Sequence, residues 1–470
     1  ADGIRAMKLL DFQGRQVHLV GIGGAGVGAL VPLLQRAGAT VSGCDSAQTT
    51  ALTSLAASGV TVAQGHHPDH VIGVDMVVHT AAVGADHPEL VAARAAGIPV
   101  LTRGACLVAL MAGRRIIAVA GSHGKTSTTW MCAHLLAEAG VDPVVMVGGT
   151  VAAIHGGGRA GAGEWFVAET DESDGSFAQV APEIAIVTNL DHEHLRHYGS
   201  FAKLEDAFNA WLRTVPAHGT VIVPAIGLSE RVLAGVRARI ITCGFGQGLW
   251  QGSQLELGAD GSHMRVLDYN RDLGLVTVPI PGAHMAQNAL FATAAASVVK
   301  PGLELATLSR CERVKRRFTV HGTPGGVRVV EDYGHHPTEV RATIAAARLG
   351  GGQVHVIFQP HRFTRTADCF AAFTTAFDQA ARVVLLPVYG AGETPIAGAT
   401  AAALAQAIAA RRLDGGSVHH ADEPAGAVQW LAEDIHSGDT VLILGAGDVH
   451  RCVPQALAFF LQRTAEVSSP

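Results

Sequence analysis

At 470 residues the chain is too long for one ordinary core, and three domains is the expected count. Its 48% hydrophobic content, 56 glycines and few aromatics match an α/β protein built on Val, Ile, Ala and Leu with glycine in its turns. A net charge of -6, no block of lysines or arginines and no run of about 20 apolar residues exclude nucleic acid and membrane as partners.

The opening ADGIRAMKLL lacks the order of a signal peptide, so a cytoplasmic protein is expected, and residues 1–6 before Met7 are given no role. An apolar run at 16–23 ends in glycines. An alanine- and leucine-rich helix follows to about residue 37, then a second strand at 40–44, giving a βαβ opening. Further strands at 76–79 and 100–101 end a first domain, 1–113. A second unit, 114–318, starts with a strand at 115–120 and runs through GSHGKTSTT into a helix. It carries strands at 165–169 and 184–188, a less periodic stretch at about 219–280, a helix at 284–299 and the basic segment VKRRF. A third, 319–470, alternates strands at 327–331, 354–358, 383–387 and 441–444 with alanine-rich helical segments. The fold class is therefore α/β in three domains: Rossmann-like at each end, with a P-loop-type ATPase between. The seven cysteines, Cys44, Cys106, Cys132, Cys243, Cys311, Cys369 and Cys452, show no C-x-x-C spacing, which predicts reduced, buried thiols and no structural zinc.

The strongest chemical signal is Gly121-Ser122-His123-Gly124-Lys125-Thr126-Ser127 between a strand and a helix start. Its glycines free backbone N–H groups for phosphate oxygens, the helix amino terminus favours anions, Lys125 reaches the outer phosphates and Thr126 suits Mg2+. Val119 stands where a strict P-loop has glycine, so the motif is a shorter variant. Phosphoryl transfer also needs metal ligands, and two strand ends supply them. Glu169 opens the acidic loop ETDESD, while Asn189, Glu193 and His194 follow the run IAIVT. At the amino terminus, Gly21-Ile22-Gly23-Gly24-Ala25-Gly26 with Asp45 after the second strand fits either NAD or another pyrophosphate.

Taken together these segments resemble the Mur ligase family, in the branch that attaches L-alanine to UDP-N-acetylmuramic acid. The likeness runs through GIGGAG, GSHGKT, ETDESDGSF, TNLDHEH, RRF, EDYGHHPTE, QPHRFTRT and YGAGE, in order along the whole chain. It implies an ATP- and Mg2+-dependent ligase (Mn2+ being an alternative) that forms an acyl phosphate and transfers the acyl group to the alanine amine in peptidoglycan synthesis. It assigns Gly23, Gly24, Ala25, Gly26, Asp45 and Thr80 to the UDP-sugar. Lys125 would hold the β- and γ-phosphates, Thr126 and Glu169 a first cation, and His194 a second. His284, Asn288, Arg317 and Asp332 would border the nucleotide, and His335, His361, Arg362 and Arg365 the amino acid or acyl phosphate. Bidentate arginines suit such anions. For His335-His336, ahead of Pro337, a helix cap is the competing structural role. The chain departs from the family where Met285 replaces an asparagine and where DHEHLR stands for a more acidic stretch. Rival readings are a ligase of the same family that recycles a tripeptide, an NAD-dependent dehydrogenase, and a silent UDP-sugar sensor. The dehydrogenase leaves Lys125, Glu169 and His194 without a role. The sequence leaves the oligomeric state open.

Overall fold

The computed structural model describes residues 11–47, 50–80, 83–173, 175–193, 195–412 and 417–467. The chain divides into two compact units. One runs to Ser253 and takes in Arg265–Val276 and Gln287–Val314; the other holds Gln254–Met264, Thr277–Ala286 and the chain from Lys315 on.

The first unit opens with five parallel strands: β1 (Gln16–Val20), β2 (Thr40–Asp45), β3 (Thr61–Gln64), β4 (Met76–His79) and β5 (Val100–Thr102), in the order β3-β2-β1-β4-β5. Val17, Leu19 and Val20 are fully buried, as expected of a strand covered on both faces. The order reverses between β1 and β4, and in such sheets ligands sit beyond the carboxyl ends of the strands at that point. The predicted helix to residue 37 is broken in two, α1 (Ala25–Gly28) and α2 (Val31–Arg36). Pro32 sits in the first turn of α2, where its missing N–H is tolerated, and it cannot continue the ladder from α1. Of two further helices, α3 (Pro88–Ala95) links β4 to β5, and α4 (Arg103–Met111) follows β5.

A second sheet is ten-stranded: β6 (Arg115–Ala120), β7 (Val144–Val151), β8 (Gly156–Arg159), β9 (Trp165–Glu169), β10 (Ile184–Val187), β11 (Thr220–Pro224), β12 (Arg239–Phe245), β13 (Trp250–Leu257), β14 (Ser262–Asp268) and β15 (Arg271–Val278). Their order is β15-β14-β13-β12-β11-β10-β6-β9-β7-β8, so β6 lies between β9 and β10, parallel to both. The less periodic stretch at 219–280 thus contributes five strands, β11 to β15, with a short helix at Glu230–Leu233. Helix α5 (Lys125–Glu138) leaves β6 through the glycine loop and buries Trp130, Met131, Cys132, Leu135 and Leu136. Helix α6 (Ala283–Val299) confirms the expected one at 284–299.

In the second unit β16 (Thr319–Gly322), β17 (Arg328–Asp332), β18 (Val354–Phe358), β19 (Arg382–Leu385), β20 (Ser417–His420) and β21 (Thr440–Leu444) form a sheet ordered β16-β17-β21-β18-β19-β20. Only β16 is antiparallel, and β18 and β21 are buried along their whole length. Helices α7 (Pro337–Arg348) and α8 (Phe363–Asp368) start just beyond β17 and β18. Among the described residues no helix is long and apolar enough to cross a membrane.

Candidate active site

The loop after β6 owes its shape to the strand beside it. Asn189, just past β10, accepts from Ser122 N (3.0 Å) through its carbonyl and from His123 N (3.0 Å) through its side-chain oxygen, and its amide donates to His123 O (3.0 Å). Thr188 Oγ1 donates to the same carbonyl at 2.6 Å. Ser122 Oγ accepts from Asp191 N (2.9 Å), and His123 Nε2 lies 3.0 Å from the Asp191 carboxylate. Gly121 (φ +128°) is so close to Thr188 and Asn189 that a Cβ would sit 2.8 Å from the Asn189 carbonyl oxygen. Gly124 (φ +80°) is the N-cap of α5 and faces the buried amide of Asn288. Both positions call for glycine on conformation and on space. The loop amides, the start of a 14-residue helix and buried Thr126 and Ser127 thus occupy one end of β6.

Lys125 lies under this loop. Its Nζ donates to Gly121 O (2.6 Å), Ser122 O (3.2 Å) and Glu172 Oε1 (2.9 Å). Burial would pull the ammonium's pKa down, but the carboxylates of Glu172, Glu169 and Asp171 more than offset it and hold it above the ordinary lysine range. Burial pushes the Glu172 carboxyl up against the downward pull of Lys125. Glu169, paired in register with Val119 of β6, accepts from Gly148 N through Oε2 (2.7 Å), while its Oε1 has no hydrogen-bond partner among the described residues. A carboxylate oxygen left open beside the Thr126 helix start is the donor type a hard divalent cation takes. His194, the other predicted metal ligand, lies outside the described residues.

The amino-terminal glycine turn has a different setting. Gly21 N (2.8 Å) and Ile22 N (3.1 Å) both donate to Cys44 O, and Gly23 N donates to Asp45 Oδ2 (3.0 Å). Gly24 caps α1, which Ala25 and Gly26 open. Thr80, just beyond β4, packs on Gly21, where an added Cβ would stand 2.8 Å from its methyl group. Arg103, at the start of α4, lies against Gly26 and 3.8 Å from the Asp171 carboxylate, and together with Glu169 and Thr170 it lines a crevice between the two sheets of this unit.

In the second unit Arg317 lies 5.1 Å over the Tyr333 ring and 4.0 Å from Glu339. Asp332 is buried and accepts from Phe318 N and Gly334 N, both at 2.7 Å; burial raises its pKa against the pull of Arg317. His336 caps α7 in a capping box with Glu339, so the structural role weighed for the histidine pair holds for this one. His335 instead turns its ring toward His361, 5.9 Å away, and His361 stacks on Tyr389 and lies 3.3 Å from Arg365. Burial, then His335, Arg365, Arg362 and Arg316, bring His361 down to about 3, which leaves it neutral. Arg362 is 3.9 Å from Glu393, whose carboxylate also takes Thr364 N and Oγ1. His284 is likewise pushed down to about 4, by burial first and Arg317 against the opposing Glu339. The result is a cationic group of arginines with neutral imidazoles, suited to anions.

Sequence reading missed Glu172 and Arg103. Glu172 was inside the quoted acidic loop without a role of its own, and Arg103 carried no motif. Asn189 was marked only as polar at a strand end, and here it braces the loop.

Three family models match the chain: "Mur ligase family, catalytic domain" over 16–115, "Mur ligase middle domain" over 119–296 and "Mur ligase, glutamate ligase domain" over 316–447. The chain is 41% identical over 461 residues to the UDP-N-acetylmuramate--L-alanine ligase of Sorangium cellulosum, covering 94% of this chain and 96% of the relative. It is 42% identical over 462 residues to the enzyme of that name from Anaeromyxobacter dehalogenans, covering 96% and 99%. Among solved structures it is similar to the UDP-N-acetylmuramate-alanine ligase of Thermotoga maritima, with a TM-score of 0.80 at 25% identity over 97% of this chain and 100% of that one. A murein peptide ligase from Psychrobacter arcticus gives 0.70 at 25% identity, over 95% and 99%. With likeness of this extent over nearly its full length, the chain belongs to the Mur ligase family.

Proposed function

We propose that this protein joins L-alanine to the lactyl carboxylate of UDP-N-acetylmuramic acid with cleavage of ATP to ADP and phosphate, a step of peptidoglycan synthesis. The observation that carries the reading is the buried Lys125 under a glycine loop, ringed by Glu172, Glu169 and Asp171, in a chain 41% identical to L-alanine ligases from end to end. In this reading residues 1–113 hold the UDP-sugar, 114–318 the ATP and 319–470 the amino acid.

A carboxylate oxygen is too poor a leaving group for an amine to displace, so the carboxylate first takes the γ-phosphoryl group of ATP. The amine nitrogen then attacks the acyl carbon, the tetrahedral adduct expels phosphate, and the nitrogen loses its proton as the amide forms. Lys125 would leave its loop carbonyls and Glu172 for the β- and γ-phosphates, where its positive charge offsets the charge in transfer. The raised Glu172 carboxyl is suited to take up a proton as that ammonium turns away. Thr126, the open oxygen of Glu169 and His194 would hold Mg2+, which when bound neutralises charge on the transferring phosphoryl group. Asn288, His284, Arg317 and Asp332 would border the nucleotide, and His335, His361, Arg362 and Arg365 the amino acid and acyl phosphate.

The deciding assay is phosphate release from ATP with Mg2+ and UDP-N-acetylmuramic acid, adding L-alanine, glycine, L-serine or the tripeptide singly. Release strongest with L-alanine supports the reading. Tripeptide dependence would move the protein to the recycling branch, and silence with all four would sink both.

A further inference from the structure

Six of the seven cysteines are small buried packing residues. Cys44 is not. On β2 it faces His18 of β1, His70 in the helical turn Pro68–Val71 and Glu89 in the first turn of α3. One donor atom from each of these four residues falls within 4.8 Å of every other. Glu89 is fully buried, and no lysine or arginine pairs with it among the described residues. Its oxygens lie 3.0 and 3.2 Å from Cys44 Sγ, 2.7 Å from His70 Nδ1 and 3.9 Å from His18 Nε2.

His18 supplies an independent sign. It is 3% exposed; its Nδ1 lies 2.9 Å from Ser42 Oγ, and its buried Nε2 has no hydrogen-bond partner. With the proton on Nδ1, donated to Ser42, Nε2 carries a lone pair 3.9 Å from a Glu89 oxygen. A metal-binding imidazole is oriented in the same way, by an acceptor on its other nitrogen. A purely structural network would leave that nitrogen orphaned at a cost, because nearly all buried polar groups are paired.

We infer that His18, Cys44, His70 and Glu89 form a site for one borderline divalent transition-metal ion of the zinc type. One sulfur, two imidazole nitrogens and one carboxylate oxygen suit a four-coordinate ion of that class, whereas Mg2+ and Ca2+ prefer oxygen alone. Binding breaks the Cys44 S–H bond and forms a metal–sulfur bond, with the proton passing to solvent. Thiolate and carboxylate together then match the double positive charge. Because Cys44 O also receives the amides of Gly21 and Ile22, the ion would pin the floor of the amino-terminal glycine turn. The absence of C-x-x-C spacing argues against a structural zinc, but these ligands come from four elements between residues 18 and 89.

The test is cobalt titration of chelator-treated full-length protein in excess Mg2+, read by the thiolate-to-cobalt charge-transfer band and the visible bands of a tetrahedral ion, with zinc displacement and metal analysis. The expected result is a thiolate band saturating at one ion per chain and reversed by zinc. Cys44→Ser should abolish the band, and Ser42→Ala should weaken binding by roughly 10–100-fold. His70→Ala, nearer the surface and keeping the thiol, should weaken cobalt binding and dim the visible bands of the tetrahedral ion should the Cys44 variant fail to fold, circular dichroism reporting on both; unchanged affinity and bands would overturn the site. No thiolate band at stoichiometric cobalt, or an unchanged band in Cys44→Ser, overturns the site.

Discussion

The two glycine turns of the first unit, after β1 and after β6, share a strand–turn–helix path and differ in nearly everything around it. The turn after β6 feeds a helix of 14 residues and carries a lysine that three carboxylates keep charged. The turn after β1 feeds four helical residues, and its Gly23 amide already has the Asp45 carboxylate as acceptor. A macrodipole acts through the terminal turn of a sustained helix, so the second setting offers an anion a weaker field. Glycine spacing thus sets the backbone path in both turns, while the charged residues reaching it from neighbouring strands decide whether a phosphate is held or transferred.

Lys125→Ala tests that division most severely. Phosphate release should fall by roughly 10^3-fold while calorimetric affinity for the UDP-sugar stays unchanged; loss of both would show that the turns do not work separately. Next in size is the contrast between Gly121→Ala and Gly21→Ala. Each carries a positive-φ penalty of about 1–3 kcal/mol. The new methyl at Gly121 meets backbone of the Thr188-Asn189 pair, whereas at Gly21 it meets only the Thr80 side chain. Urea unfolding should therefore rank the Gly121 variant as clearly less stable, and equal losses would deny the adjoining strand its shaping role. Asp45→Ala, which loosens the amides of Gly23 and Ala47, should raise KM for the UDP-sugar about tenfold with kcat unchanged. Tighter binding would mean that the carboxylate mainly repels the pyrophosphate.

The smallest effect concerns charge. Burial acts on His361 as it does on Lys125, but arginines rather than carboxylates surround it, and it is brought from 6.5 to about 3. The unfolded chain then binds the extra proton below pH 6.5, so this stability is complete above 6.5 and is lost as pH falls toward 3. Melting curves of His361→Gln should show a shallower acid decline than the parent, and parallel curves would refute the neutral imidazole.

Strands buried on both faces were the most legible part of the sequence: 115–120, 165–169 and 354–358 were read with the bounds of β6, β9 and β18. Periodicity fails where one face is wet and glycines interrupt. The β7–β8 hairpin through GGGR and the partly exposed β13 went unread for that reason. The loop motif was visible because its chemistry is local. Glu172 meets Lys125 across 47 residues and Arg103 meets Asp171 across a domain boundary, and no spacing rule carries such pairings. The helix break at Pro32 was legible in principle, since a proline marks the first turn of a new helix more readily than the middle of an old one.

The bracing of 121–126 by Asn189 also bears on the order in which the protein is made. The loop leaves the ribosome some 66 residues before the residue that shapes it. Until β10 has emerged and paired with β6, the nascent chain carries the complete glycine–lysine motif without the fixed ring of amides. Nucleotide therefore has no early foothold from which to assist folding, and a fragment ending before residue 184 should contain every letter of the motif yet have no affinity for ATP.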